Sequence, residues 1–127
     1  DWGHAKDYIE IQWKILQQKK PDDFVIATGK TISVKEFINE CCKYLKLKLL
    51  WRGKGLNERA YLVNGTKLKL IIKVDKKYYR PLEIDYLKGN PQKAIKTLKY
   101  KLKYNLKDLV KDMLDSDIKI ARLNQQK

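Results

Sequence analysis

Phe24-Val25-Ile26-Ala27-Thr28-Gly29 is a short continuous apolar run closed by a glycine. Such runs are typical of a strand buried on both faces of a parallel sheet, where no polar side is needed. Upstream, from Ala5 to about Gln18, Tyr8, Ile9, Ile11, Trp13, Ile15 and Leu16 cover more than half of a helical surface. That spread predicts a helix packed on two sides. Pro21-Asp22-Asp23 ends it. Downstream, Ser33 with Glu36 forms a capping box, and Val34, Phe37, Ile38, Cys41, Cys42 and Leu45 follow at helical spacing. Both cysteines therefore belong to an apolar stripe.

Lys46 to Trp51 alternates as a strand, Gly53-Lys54-Gly55 turns the chain, and Asn64-Gly65 signals a hairpin before the apolar stretch Leu68 to Val74. Asn90-Pro91 supplies a cap followed by proline at the first helical position, with Ala94, Ile95 and Leu98 as a short buried stripe. Leu106, Leu109, Val110, Met113, Leu114 and Ile118 mark a last amphipathic helix capped by Asn105, and a frayed polar tail is expected beyond about Ile120. Helix, strand, helix, small strands and two more helices make a mixed α/β chain. A parallel strand at Phe24–Thr28 needs neighbours that this chain does not supply. The pattern is that of the later part of a doubly wound fold.

At 127 residues the chain holds one domain and hardly two. Its 43% hydrophobic and 35% charged residues describe a globular mix, and its apolar runs are too short to span a bilayer. No secretory leader is visible, so a soluble, cytoplasmic chain is expected. Two adjacent cysteines and one histidine, His4, offer no metal set. The net charge of +14 raises nucleic acid as a partner, but only four of the 29 basic residues are arginine. Arginine reads bases and phosphates in bidentate fashion, so specific readout is disfavoured and solvated lysine preferred.

Chance motifs fail on their spacing. Gly29-Lys30-Thr31 lacks the first glycine of a phosphate loop, whose place is taken by Phe24. Gly53-Lys54-Gly55 has Glu58 at the third glycine position of a dinucleotide fingerprint and opens no evident helix. Tyr44 and Lys48 are spaced as an acid/base pair but straddle a helix end, and Asn64-Gly65-Thr66 is a turn before it is a glycosylation site. Tyr78-Tyr79-Arg80-Pro81-Leu82-Glu83-Ile84-Asp85 is more informative. Pro81 biases Arg80 toward an extended backbone, a guanidinium fork can clamp a diphosphate, and Glu83 can accept from ribose hydroxyls. The same residues can equally form an exposed loop ion pair.

Asp1-Trp2-Gly3-His4-Ala5-Lys6-Asp7-Tyr8, Gln17-Gln18, Pro21 through Gly29 and Ser33-Val34 closely resemble the GDP-mannose 4,6-dehydratase family. Gly53-Lys54-Gly55 with Glu58, Val74-Asp75, Tyr78-Tyr79-Arg80-Pro81-x-Glu83, and Gly89-x-Pro91-x-Lys93-Ala94 with Leu98 continue the resemblance to about residue 120. It departs at Asn90, where the family has Asp, and at Lys99-Tyr100-Lys101-Leu102, where the family has Gly-Trp-x-Pro. The resemblance implies an extended short-chain dehydrogenase that converts GDP-mannose to GDP-4-keto-6-deoxymannose with bound NADP. This chain would be its C-terminal portion. Residues 1–48 would end the doubly wound, Rossmann-type NADP-binding domain, 49–120 would form the small mixed α/β substrate-binding region, and 121–127 a polar tail.

By the same resemblance Arg80 would hold the substrate diphosphate and Glu83 the ribose of GDP. The NADP loop and the catalytic Tyr-x-x-x-Lys would lie upstream of Asp1, leaving no catalytic, cofactor or metal residue in this chain. A homo-oligomer is expected, with no membrane partner. The rivals are a free-standing nucleotide-sugar-binding or protein-interaction remnant and, behind it, a basic nucleic-acid module.

Overall fold

The computed structural model describes residues 1–80, 82–84 and 86–125. Among them are four helices, α1 (Ala5–Leu16), α2 (Val34–Tyr44), α3 (Gln92–Leu98) and α4 (Leu106–Gln125). Three strands, β1 (Leu49–Arg52), β2 (Arg59–Asn64) and β3 (Lys67–Lys73), form one antiparallel sheet in the order β1-β2-β3. The chain divides into two compact units, one within Asp1–Val34 and Tyr86–Lys127, the other within Lys35–Asp85.

The first unit is built on α1. His4 caps it, its Nδ1 accepting from the Lys6 N–H at 3.1 Å. The ring proton therefore sits on Nε2, which faces Asp112 Oδ2 of α4 at 3.3 Å while the ring stacks on Tyr104. Ile11 buries itself against Ala94, Leu98 and Tyr100, with Tyr8, Ile15, Phe24, Ile26 and Leu102 packed around them. The expected two-sided packing of α1 is not found: Ile9, Trp13 and Leu16, one turn apart, form a bare stripe on the other side.

Asp7, in the first turn of α1, is buried. Its carboxylate accepts from the Lys103 and Tyr104 N–H groups and so straps the α3–α4 connection to α1. Around this core, lysine partners hold three exposed carboxylates below their usual range: Lys103 through a hydrogen bond to Glu10, Lys93 likewise to Asp22, and Lys6 likewise to Asp112. Their contribution is present above the ordinary carboxylate range and fades as pH falls through the lowered values.

Phe24–Thr28 is not a strand here, because no other strand pairs with it among the described residues. The three described strands pair only with one another. Phe24 and Ile26 turn to the α1 core, Val25 is exposed, and Asp1 takes the main-chain donors of Thr28 and Gly29 at 2.8 and 2.9 Å. Lys93 pins the front of the segment through Asp22 Oδ1 and the Asp23 carbonyl.

Gly89 lies across Ala27 so closely that a Cβ would stand 2.3 Å from the Ala27 methyl. Gly89→Ala must therefore push these two segments apart, at a cost of about 1–3 kcal/mol. Urea unfolding followed by tryptophan fluorescence measures it; an unchanged midpoint would show that the segments do not meet this way.

Helix ends follow side-chain chemistry. Asn90 Oδ1 accepts from the Gln92 N–H ahead of α3, as the Asn-Pro pair predicts. At α4, Asn105 accepts from the Lys107 and Asp108 N–H groups while Asp108 returns a bond to the Asn105 N–H. This reciprocal cap starts a helix that continues to Gln125, so the frayed tail expected beyond Ile120 is instead helical to that point. Gln126 and Lys127 lie outside the described residues. Ile95, expected in a buried stripe, is exposed over a little less than half of its surface, because only the Ala94 and Leu98 side of α3 faces α1.

In the second unit α2 lies against one face of the sheet. Asn39 accepts from the Trp51 indole N–H at 2.9 Å, and Lys35 sits over the Trp51 ring while pairing with Glu58. Cys41 and Cys42 fall on the apolar side as expected but are half-buried, since three short strands cover α2 incompletely. Burial pushes both thiols upward, away from the reactive thiolate form. The hairpin turns on Gly65-Thr66, with Asn64 paired to Lys67. Gly65 takes a positive φ of 58° and Thr66 does not, the type II′ pattern that the right-handed strand twist favours.

Candidate functional site

The Tyr78–Glu83 segment follows directly from β3. Asp75 Oδ1 accepts from the Lys77 N–H at 2.9 Å and starts a single 3-10 turn, Lys76–Tyr78, which redirects the chain out of the sheet. The Arg80 carbonyl then closes a second turn by accepting from the Glu83 N–H at 3.3 Å. This brings the two side chains together: Arg80 Nη1 stands 3.6 Å from Glu83 Oε2. Pro81 and Asp85 lie outside the described residues.

Both partners are open to solvent, Arg80 at 80% and Glu83 at 63% of side-chain exposure. An exposed pair at this separation contributes roughly 0–1 kcal/mol, so it is easily exchanged for a better partner. Arg80 and Glu83 line a recess of about 600 Å³ together with Lys73, Val74, Asp75, Tyr78 and Tyr79. Two phenol rings, two cationic groups and two carboxylates thus share one concavity. The arrangement can hold an aromatic base, an anion and a polyol.

Lys73 carries no signal in the sequence, and Asp75 enters there only within the resemblance and not as a site residue. Their position depends on how β3 leaves the sheet, which alternation alone does not fix.

Other motifs do not assemble. Tyr44 closes α2, Lys46 follows in the left-handed region at φ 57°, and Lys48 lies beyond it. No helical turn therefore joins Tyr44 to Lys48, and the acid/base spacing is empty of geometry. Gly53-Lys54-Gly55 leads into a three-residue 3-10 turn between antiparallel strands. No long helix begins there to receive a pyrophosphate, so this turn is not a dinucleotide fingerprint. Among the described residues no group of His, Cys, Asp and Glu converges as a metal site, and no helix is long and apolar enough to cross a membrane.

Residues 1–113 match the family model described as GDP-mannose 4,6 dehydratase. The chain is 48% identical over 122 residues to the GDP-mannose 4,6 dehydratase of Dictyostelium discoideum, covering 96% of this chain and 34% of that protein. It is 50% identical over 118 residues to GDP-mannose 4,6 dehydratase 2 of Caenorhabditis elegans, covering 93% and 30% respectively. Against the GDP-mannose 4,6 dehydratase of Homo sapiens it is 41% identical over 124 residues, covering 98% of this chain and 33% of that protein. The chain spans about a third of the length of these curated relatives.

Proposed function

This chain belongs to the GDP-mannose 4,6-dehydratase family, and from that premise we propose that it is the C-terminal, substrate-binding part of such an enzyme. The enzyme would convert GDP-mannose to GDP-4-keto-6-deoxymannose and water. NADP and the catalytic acid/base pair are assigned to residues outside this chain, and the residues described here carry no step of the hydride chemistry. Residues 1–48 would complete a doubly wound, Rossmann-type domain, with Phe24–Thr28 joining its parallel sheet. Residues 49–120 would contribute the sugar-nucleotide site. A cytoplasmic homo-oligomer is the proposed assembly; the bare Ile9–Trp13–Leu16 stripe supports burial against further protein.

The observation that carries the binding role is the meeting of Arg80 and Glu83 at one recess. On arrival of GDP-mannose, the Arg80 fork exchanges a single carboxylate oxygen for the two phosphates, a charge-assisted and bidentate contact. Glu83, released, accepts from ribose hydroxyls. Tyr78 and Tyr79 offer flat surfaces for the base.

Calorimetric titration of the chain with GDP tests this. Arg80→Ala should weaken binding by about 1.5–3 kcal/mol, roughly ten- to more than a hundredfold. Binding that is indifferent to the substitution would remove Arg80 from the site.

A further inference from the structure

The sheet carries a second cationic feature, separate from the Arg80–Glu83 pair. Arg52 of β1 stands directly opposite Arg59 of β2, and Arg59 directly opposite Lys73 of β3. Residues in direct register across antiparallel strands project from the same face, with Cβ atoms about 4.5–5.5 Å apart. Three positive side chains therefore form one row across all three strands. The Arg52 guanidinium lies 5.8 Å from the Tyr61 ring centre, which places it over the same face as Tyr61.

Simple alternation would not build this row. Counting back from Lys69, which faces Leu62, Lys73 should share the α2 side of the sheet. The register shifts between Ala60 and Tyr61, leaving Ile71 as the extra residue of a β-bulge. The bulge turns Lys73 to the opposite face and into line with Arg59. Like charges placed directly opposite one another destabilise a sheet. Among the described residues none of the three has a carboxylate partner. A row whose members repel one another and form no ion pair is stabilised by an anion that bridges them.

We propose that Arg52, Arg59 and Lys73 form a binding row for an oligophosphate chain, laid across the strands. Its chemistry is that of linked phosphates spaced closely enough to meet three cations in succession. Lys73 also lines the recess that contains Arg80, so a phosphate chain can pass from the row toward it. Arg52 and Arg59 lie outside that lining, and the row does not depend on GDP occupying the recess.

The test is calorimetric titration of the 127-residue chain with inorganic tripolyphosphate. Arg59→Gln should weaken binding roughly tenfold, the loss of one charge-assisted contact. The combined Arg52→Gln, Arg59→Gln, Lys73→Gln variant should abolish it, and its thermal midpoint should not fall, because repelling charges are removed. Lys119→Gln on α4 removes one positive charge elsewhere and should leave binding unchanged. If Lys119→Gln is as damaging as Arg59→Gln, net charge alone holds the anion and the row is overturned.

GTP binding more tightly than tripolyphosphate supports a nucleotide as the source of the phosphates, and the reverse order supports free polyphosphate. Persistence of tripolyphosphate binding in Arg80→Ala separates the row from the GDP clamp. GDP binding that responds to Arg80→Ala, with no response to tripolyphosphate, overturns the row and leaves the clamp standing. A single-stranded oligonucleotide that binds through Arg59 while tripolyphosphate does not compete also overturns it.

Discussion

Asp7→Ala is expected to destabilise the chain by about 2–4 kcal/mol, because it takes the acceptor from two part-buried main-chain donors at once. Asp7 is only 3% exposed, and its carboxylate receives the N–H groups of Lys103 and Tyr104 at 3.1–3.2 Å. Those donors belong to the connection between α3 and α4, which carries no ladder of its own to satisfy them. Asp7→Asn preserves the shape but turns an amide donor toward one of the N–H groups, so it should recover only part of the loss. Urea unfolding monitored by circular dichroism gives the answer. An Asp7→Ala variant within about 0.5 kcal/mol of the parent would mean that Asp7 is an ordinary surface residue.

Ile11→Ala should cost about 2–5 kcal/mol, the range for removing a large side chain from a closed core. Ile11 is 1% exposed and touches the cluster of Ala94, Leu98 and Tyr100, contributed by α3 and the turn after it. Ile9, two residues earlier, is 64% exposed. Ile9→Ala should then leave the midpoint of a dilute monomer almost unchanged. The pair of variants tests the one-sided packing of α1 directly. Equal losses that grow with protein concentration would mean instead that a second copy covers Ile9, Trp13 and Leu16.

Most helix boundaries were legible because their signals are local. Asn90 and Asn105 cap α3 and α4 with their own side chains, within three residues of where they stand. The Gly65 turn is legible for the same reason. The far end of α4 was not, since a polar composition after Ile120 signals solvent exposure and says little about whether the helix stops. Phe24–Thr28 reads as a strand because its apolar content is that of one. Pairing, though, is a property of two segments, and none of the described strands reaches it.

The site divides in the same way. Arg80 and Glu83 lie three residues apart, so the turn that joins them is short-range and could be read from the segment itself. The ligand proposed for that geometry comes from the family resemblance, carried by the block from Asp1 to Tyr8 and by Tyr78 to Glu83. Lys73 could not be found this way: its side depends on the bulge at Ile71, and a one-residue shift exchanges the faces of a strand.

The sequence by itself determined the helices, the hairpin and the family, because caps, turns and periodicity act over one to four residues. Tertiary structure alone decided that Asp7 is buried, that α1 is covered on one side, and that Arg52, Arg59 and Lys73 share a row. Each of these depends on which distant main-chain donor, apolar side chain or strand register arrives opposite a residue. That information resides in the packing of segments, and no single segment contains it.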